Sequence, residues 1–393
     1  MPAVSVMNFE DWLATTSYSE ERKNQLREVF AQMRGGNPTK RQRSKIASFI
    51  KREFYTEAKE ARTINSRSDF FKVFSGPRFK PIEDFLYNVP SQMDPSHPYF
   101  IKHIDVAERP YYIEKLVRAG VHYFSDDFTA YESHFTPEVM EACELQLYRH
   151  CLRDDPHVEL LCKALTGTNR LGFRLGTRAS VIGRRMSGDM CTSLGNGFTN
   201  LMLTLFLAKK HNFLVDGYVE GDDGIFACSG KLTEAMYASL GFTIKTFEIE
   251  HPRQASFCGN LYSPDFQIVK DPRKFLEGFA WTHSCIEARS SVMDQLQKAK
   301  CMSALCEVPD CPIVGAMAYH TYNRVKSAEA RFVGDGYHSQ RVPKMIRKPA
   351  PTLATREFFA HEFGVSPGLQ ILIEEAIAAA DFEKVATLLP PPP

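Results

Sequence analysis

With 393 residues, 44% hydrophobic and 24% charged, the chain has the composition of a folded globular protein, and it is long enough to expect two or three subdomains. Nowhere is there an apolar run of about eighteen residues, the length that spans a bilayer, and the first residues lack a signal peptide's charged start and apolar stretch. The net charge of +1 hides a local bias, because residues 39–80 hold twelve basic side chains against four acidic ones.

Residues up to about 34 read as helical, with Leu26, Val29, Phe30 and Met33 on one face of a helix over 22–33. Gly35-Gly36-Asn37-Pro38 then breaks the pattern. The basic stretch that follows contains Arg62-x-Ile64-x-x-Arg67, flanked by Lys51 and Lys80. Guanidinium groups suit triphosphate oxygens because they bind bidentately and stay charged, although such a segment is more often a solvated face. Alternation puts Arg62 and Ile64 on one side of a strand, so a turn at Asn65-Ser66 is expected if Arg67 is to join them. Gly76-Pro77 is expected to open a loop.

From Val121 the pattern is strand-like and runs into Asp126-Asp127-Phe128-Thr129-Ala130-Tyr131-Glu132. Thr136-Pro137-Glu138 then caps a helix expected to reach about residue 152. A carboxylate at a strand's end, with another five residues on, can present both acids to one cleft. Of the two adjacent aspartates, Asp127 sets that spacing to Glu132.

Next comes Ser187-Gly188-x-x-x-Thr192-x-x-x-Asn196, a small-residue loop entering an apolar helix that runs to about residue 210. Thr192 and Asn196, four apart, share a helix face. Tyr218-Val219-Glu220-Gly221-Asp222-Asp223-Gly224-Ile225-Phe226 reads as a β-hairpin with an acidic tip whose glycines and aspartates tolerate positive φ. Two adjacent carboxylates repel, and a hard divalent cation such as Mg²⁺ removes the penalty. Beyond it come a helix over 232–240 stopped by Gly241, a strand over 242–245, another hairpin near 256–262, and helices from 271 onward, including 368–380 and 382–389.

Ten cysteines without a CxxC pair fit reduced thiols in a cytosolic compartment. Cys301, Cys306 and Cys311, with His283, Cys285 and His320 nearby, have the wrong spacing for a zinc finger or knuckle.

Taken together and in order, four of these stretches resemble the RNA-dependent RNA polymerases of positive-strand RNA viruses, in a tombusvirus-like form. The segment from Arg62 to Glu83 is similar to the basic fingers motif. Asp127 with Glu132, the Ser187-Gly188…Thr192…Asn196 array, and Gly221-Asp222-Asp223 are similar to the three palm motifs. Lys245 and Phe257-Cys258-Gly259 sit where later palm motifs fall. The likeness covers about residues 45–262, and Glu132 departs from it by standing where the family usually has Asp.

The resemblance implies an α+β right-hand polymerase with palm, fingers and thumb around a nucleic-acid channel, a ferredoxin-like palm sheet and a helical thumb. It implies an N-terminal helical extension over 1–44, fingers over 45–120 and 153–185, and a palm over 121–152 and 186–263. A thumb over 264–389 and a tail over 390–393 follow. Two Mg²⁺ or Mn²⁺ ions on Asp127, Asp222 and Asp223 are implied, with Lys245 as general acid. Arg62 and Arg67 would meet the triphosphate, Glu132 and Asn196 the ribose 2′-hydroxyl, with Thr192 beside them. Ser187, Gly188, Lys51 and Lys80 would contact RNA.

The implied partners are template and nascent RNA, NTPs, and other viral replication proteins that supply attachment to membrane-associated replication sites in the host cytoplasm. Two rivals share parts of the pattern. A reverse transcriptase usually has an aromatic residue where this chain has Glu220, and it lacks the Ser-Gly…Thr…Asn array. An inactive RNA-binding polymerase fold would have little reason to keep three clustered acids.

Overall fold

The structure, a computed structural model, describes residues 3–33, 36–53, 58, 60–279, 281–282, 285, 287–333 and 346–390. Gly35, Glu57, His283 and the tail beyond Pro390 lie outside the described residues, as does the end of the basic 44–55 stretch. Two compact units emerge, one from residues 1–51, 60–103 and 118–250, the other from 52–59, 104–117 and 251–393. The whole is a mixed α+β fold.

Among the described residues the first unit contains eight strands: β1 (Lys45–Ile50), β2 (Thr63–Arg67), β3 (His122–Phe128), β4 (Thr168–Phe173), β5 (Arg178–Ile182), β6 (Val215–Glu220), β7 (Asp223–Cys228) and β8 (Ile244–Ile249). They form two sheets of four, ordered β2-β1-β4-β5 and β6-β7-β3-β8. In the second sheet every neighbouring pair is antiparallel. The helix Thr192–Lys210 links β3's half to β6, and the short helix Glu234–Ala238 links β7 to β8. This is the strand–helix–strand–strand–helix–strand order of a split βαβ sheet. One face buries Phe124, Phe128 and Phe226 in a core shared with Leu194, Leu201 and Leu207 of the long helix.

Three local expectations need correction. Gly76-Pro77 opens no loop, because both residues lie inside the helix Asp69–Leu86. Ser68 caps that helix by accepting from the Phe71 N–H, and Phe71, Phe74, Phe79, Ile82 and Leu86 give it a buried stripe that overrides the two prolines. A side chain at Gly76 would collide with the Trp12 ring, so glycine is there for packing. The helix opened by Thr136 and Pro137 ends at Ala142, and a separate one runs Glu144–Cys151. Non-helical backbone at Cys143 (φ −123°, ψ −91°) separates them. Finally, no turn interrupts Asn65-Ser66. β2 pairs with β1 residue by residue from Thr63 to Arg67, so Arg62 and Arg67 point to opposite sides.

The second unit carries a two-stranded ribbon, β9 (Leu261–Tyr262) with β10 (Ile268–Val269), and helices that include Ser290–Glu307, Val314–Arg324, Leu353–Phe363 and Pro367–Ala378. Ion pairs Arg356–Glu374 and Lys270–Glu307, each at 2.7 Å, tie this unit internally. Burial pushes the Cys301 and Cys311 thiols up to about 12, and both side chains are buried in this unit.

Candidate active site

The acidic hairpin is built as its sequence demands. β6 and β7 pair down to Glu220↔Asp223, which leaves Gly221 and Asp222 as a two-residue loop. Gly221 takes φ +66°, while neither Asp222 nor Asp223 has a positive φ, as in a II′ turn with glycine first. The Asn200 side-chain amide, from the long helix, donates to the Asp222 carbonyl at 3.0 Å and so anchors the tip from behind.

β3 lies beside β7, and its two aspartates go opposite ways because side chains alternate along a strand. Asp126 points into the core and is buried, whereas Asp127 is exposed on the other face. Burial pushes the Asp126 carboxyl well above the usual range; contact with Asn200 and the Gly224 N–H opposes this, while Asp223 and Asp222 add to it. A methyl at Gly224 would sit 2.6 Å from Asp126 Oδ1, so glycine makes room for that buried acid.

On the open face, Asp127 is directly paired with Lys245 of β8, which is exposed. Such cross-strand partners bring their side chains within about 5 Å at Cβ. Past Phe128 the chain turns through Ala130 (φ 49°) into the 3₁₀ turn Tyr131–His134, which carries Glu132. Asp222 is exposed as a residue, yet burial of its carboxyl is the largest cause of a raised pKa. Glu132 and Asp127 push it further up, and Arg62 pulls it down. Asp127, Glu132 and Arg62 are thus each within electrostatic reach of Asp222.

The remaining expected residues divide into those that face this cleft and those that build its walls. Arg67 is buried, with Nε 2.7 Å from Asp189 Oδ1. It therefore ties β2 to the 186–189 loop instead of standing beside Arg62. Ser187 and Gly188 dock on the same strand: the Asn65 N–H donates to Ser187 Oγ at 3.2 Å, and the Gly188 N–H donates to the Asn65 carbonyl at 2.9 Å. The Thr192 hydroxyl is directed into its own loop, bonded to the carbonyls of Asp189 (2.9 Å) and Met186 (3.0 Å). Asn196 is buried, and its Oδ1 accepts from Arg185 Nε at 3.1 Å. Lys80 pairs with Asp84 at 2.6 Å along its own helix. The Lys51 N–H donates to the Arg62 carbonyl at 2.8 Å, which fixes the strand end that carries Arg62.

Several residues that shape the site lie outside the sequence motifs. Asn200 had a signal available, since it stands four residues after Asn196 on the same helix face. Asp189, Glu144 and Arg185 did not, because isolated charges reveal a buried partner only in three dimensions.

The donors here are all carboxylate oxygens, which suit a hard divalent ion rather than a thiolate-seeking metal. Among the described residues no three ligating side chains are grouped closely enough to hold an ion alone. Mg²⁺ is usually held by one or two carboxylates together with waters and substrate phosphates. Asp127 and Asp222 fit such a role.

The family described as viral RNA dependent RNA polymerase matches residues 13–385. The chain belongs to this family. It is similar to the RNA-directed RNA polymerase of Tobacco necrosis virus (strain A), 28% identical over 219 residues, which is 49% of this chain and 28% of that protein. It is also similar to the RNA-directed RNA polymerase of Groundnut rosette virus (strain MC1), 25% identical over 239 residues, 57% of this chain and 28% of that protein. The matched stretch thus spans little more than a quarter of either relative.

Proposed function

We propose that this chain synthesises RNA on an RNA template, joining NTPs to a growing 3′ end by nucleotidyl transfer in viral genome replication and transcription. The observation that carries the reading is the register that sets the Asp127 end of β3 beside the Gly221–Asp222 turn and opposite Lys245, in a chain of this family. The β6-β7-β3-β8 sheet serves as the palm over 121–152 and 186–263. The fingers take 45–120 and 153–185, the helical remainder over 264–389 is the thumb, and 1–44 is an N-terminal extension.

Asp127 and Asp222 would hold two divalent cations, Mg²⁺ or Mn²⁺, with Asp223 supporting from the adjoining strand position. Bound there, such ions lower the pKa of the attacking 3′-hydroxyl and offset charge on the leaving pyrophosphate. Arg62 neutralises triphosphate oxygens with a guanidinium that keeps its charge. Lys245, opposite Asp127, donates a proton to pyrophosphate as it leaves. Glu132 and Asn196 read the ribose 2′-hydroxyl, which distinguishes RNA precursors from DNA precursors. The Ser187–Gly188 loop, braced on β2, lines the template path, and Arg67 acts as its brace. Template RNA, nascent RNA and NTPs are the partners; other viral replication proteins supply the attachment to membrane-associated sites in the host cytoplasm.

The test is to give purified protein a defined RNA template, labelled NTPs and Mg²⁺, and to sequence the product. A complementary RNA supports the reading. Incorporation that ignores the template, or that uses dNTPs as readily as NTPs, defeats it.

A further inference from the structure

Below the long helix's first turns lies a buried cluster around Asn196 whose charged members, Arg185 and Glu144, have no task in the reading above. Arg185 and Glu144 form an ion pair at 2.5 Å with both side chains fully buried. The Tyr148 hydroxyl donates to the same Glu144 oxygen at 2.7 Å. The Arg185 guanidinium stacks over the Phe135 ring, 4.5 Å from its centroid. Its Nη1 lies 3.2 Å from Cys191 Sγ, and its Nε donates to Asn196 Oδ1 at 3.1 Å. Gly195 belongs to the same arrangement, because a methyl there would overlap both the Arg185 guanidinium and the Glu144 carboxylate. The Tyr131 hydroxyl, next to Glu132 in the chain, donates to the Asn196 carbonyl at 3.2 Å.

The chemistry of this contact settles which way the Asn196 amide faces. An amide carries an acceptor oxygen and a donor nitrogen, and the two ends are normally interchangeable. A guanidinium has donors and no acceptor, so the end turned towards Arg185 must be the oxygen. The nitrogen is then the end left to meet anything else. Burying an arginine is costly unless it is paired, and Glu144 supplies that pairing at the one place where Gly195 leaves space for it.

We propose that Arg185, held by Glu144, is a positioning residue for ribose selection: it fixes the Asn196 amide with its N–H donors free for the 2′-hydroxyl of the incoming nucleotide. The inference rests on the polymerase reading above. A 2′-hydroxyl accepts such a donor, and a deoxynucleotide has nothing in its place. With the guanidinium gone, the amide loses its bias, and half of its orientations present an oxygen instead. Selection then weakens even where catalysis on NTPs survives.

The experiment compares kcat/KM for an NTP and the matching 2′-dNTP in wild type and in Glu144→Leu/Arg185→Met. The double variant removes both charges at once, because an unpaired buried Glu144 would threaten the fold by itself. Asn196→Asp is measured alone and combined with the double variant, since aspartate still accepts from Arg185 but has no donor end. The NTP-to-dNTP ratio is expected to fall about tenfold in Glu144→Leu/Arg185→Met and in Asn196→Asp, the loss of one oriented hydrogen bond, with little further fall when they are combined. A merely structural role would lower both rates together and leave the ratio unchanged, and that result overturns the proposal. So does a ratio that falls independently in the two backgrounds. Should the double variant not fold, Gly195→Ala displaces the same pair, and the same change in the ratio is expected from it. A wild type that incorporates no nucleotide defeats the polymerase reading itself, an outcome distinct from an active, selective wild type whose ratio resists all three changes.

Discussion

Asp126 and Asp127 are neighbours in sequence with opposite surroundings, and the difference is the alternation of one strand. Asp126 faces Phe124 and Phe128's side of the sheet, where burial raises its carboxyl well above the normal range. Asp127 faces the cleft beside Lys245. An amide of the same shape should therefore replace the first acid and not the second. Asp126→Asn is expected to keep incorporation within about threefold of wild type, because that side chain is buried in the core, on the face away from Asp127. Asp127→Asn should cost about a hundredfold or more, since under the proposed function it removes a cation ligand. Primer-extension rates of the two purified variants check this, and equal losses would mean that the faces have been assigned the wrong way round.

The hairpin and its neighbours show why elements, rather than residues, decide the geometry. Gly217 in β6 faces the Ile225 carbonyl of β7 so closely that any side chain there must push the two strands apart. Gly217→Ala is expected to destabilise the protein by about 1–3 kcal/mol, as overpacking does, and thermal unfolding would show a lowered Tm. An unchanged Tm would show that the hairpin has slack. The same hairpin was plain in the sequence, because Gly-Asp between two apolar runs admits few conformations. The strand ending at Asp127 and the long helix after Cys191 were equally legible from periodicity. Arg67 was not: its distance from Arg62 along the strand looked bridgeable by a turn, and the ion pair with Asp189 that holds it elsewhere is made across more than a hundred residues. The helix through Gly76 and Pro77 escaped notice for a related reason. Local propensity argued against it, and the tertiary burial of its aromatic stripe was decisive.

At the scale of the molecule, the first unit braces β6 with a buried polar knot, on the face of the sheet that also carries Asp127. Asp216 of β6 accepts from Ser91 Oγ and from Arg118 Nη2, both at 2.5 Å, and lies 3.2 Å from His97 Nε2. Residues 99–101 meanwhile pair with Val219 on the same strand. Burial alone would raise the Asp216 carboxyl; the His97 and Ser91 hydrogen bonds and the Arg118 charge outweigh it, and the net pKa is lowered. A depressed carboxylate contributes stability that is present above its unfolded pKa of about 4 and is lost as pH falls through the lower folded value. Asp216→Asn should cost about 2 kcal/mol at neutral pH, the scale of hydrogen bonds to a charged group, and the deficit should shrink below about pH 4. Denaturant unfolding at neutral and acid pH reads this directly; a deficit that is the same at both would remove the ionised carboxylate from the account.

In the proposed reaction an acid from β3 and an acid from the β6–β7 tip act on one reacting centre. The direct measurement is template-dependent GMP incorporation with Mg²⁺ by wild type, Asp127→Ala and Asp222→Ala, each shown to be folded. Both variants should fall to background while the wild type extends RNA. If either variant kept a rate near that of the wild type, the shared centre would not exist as described.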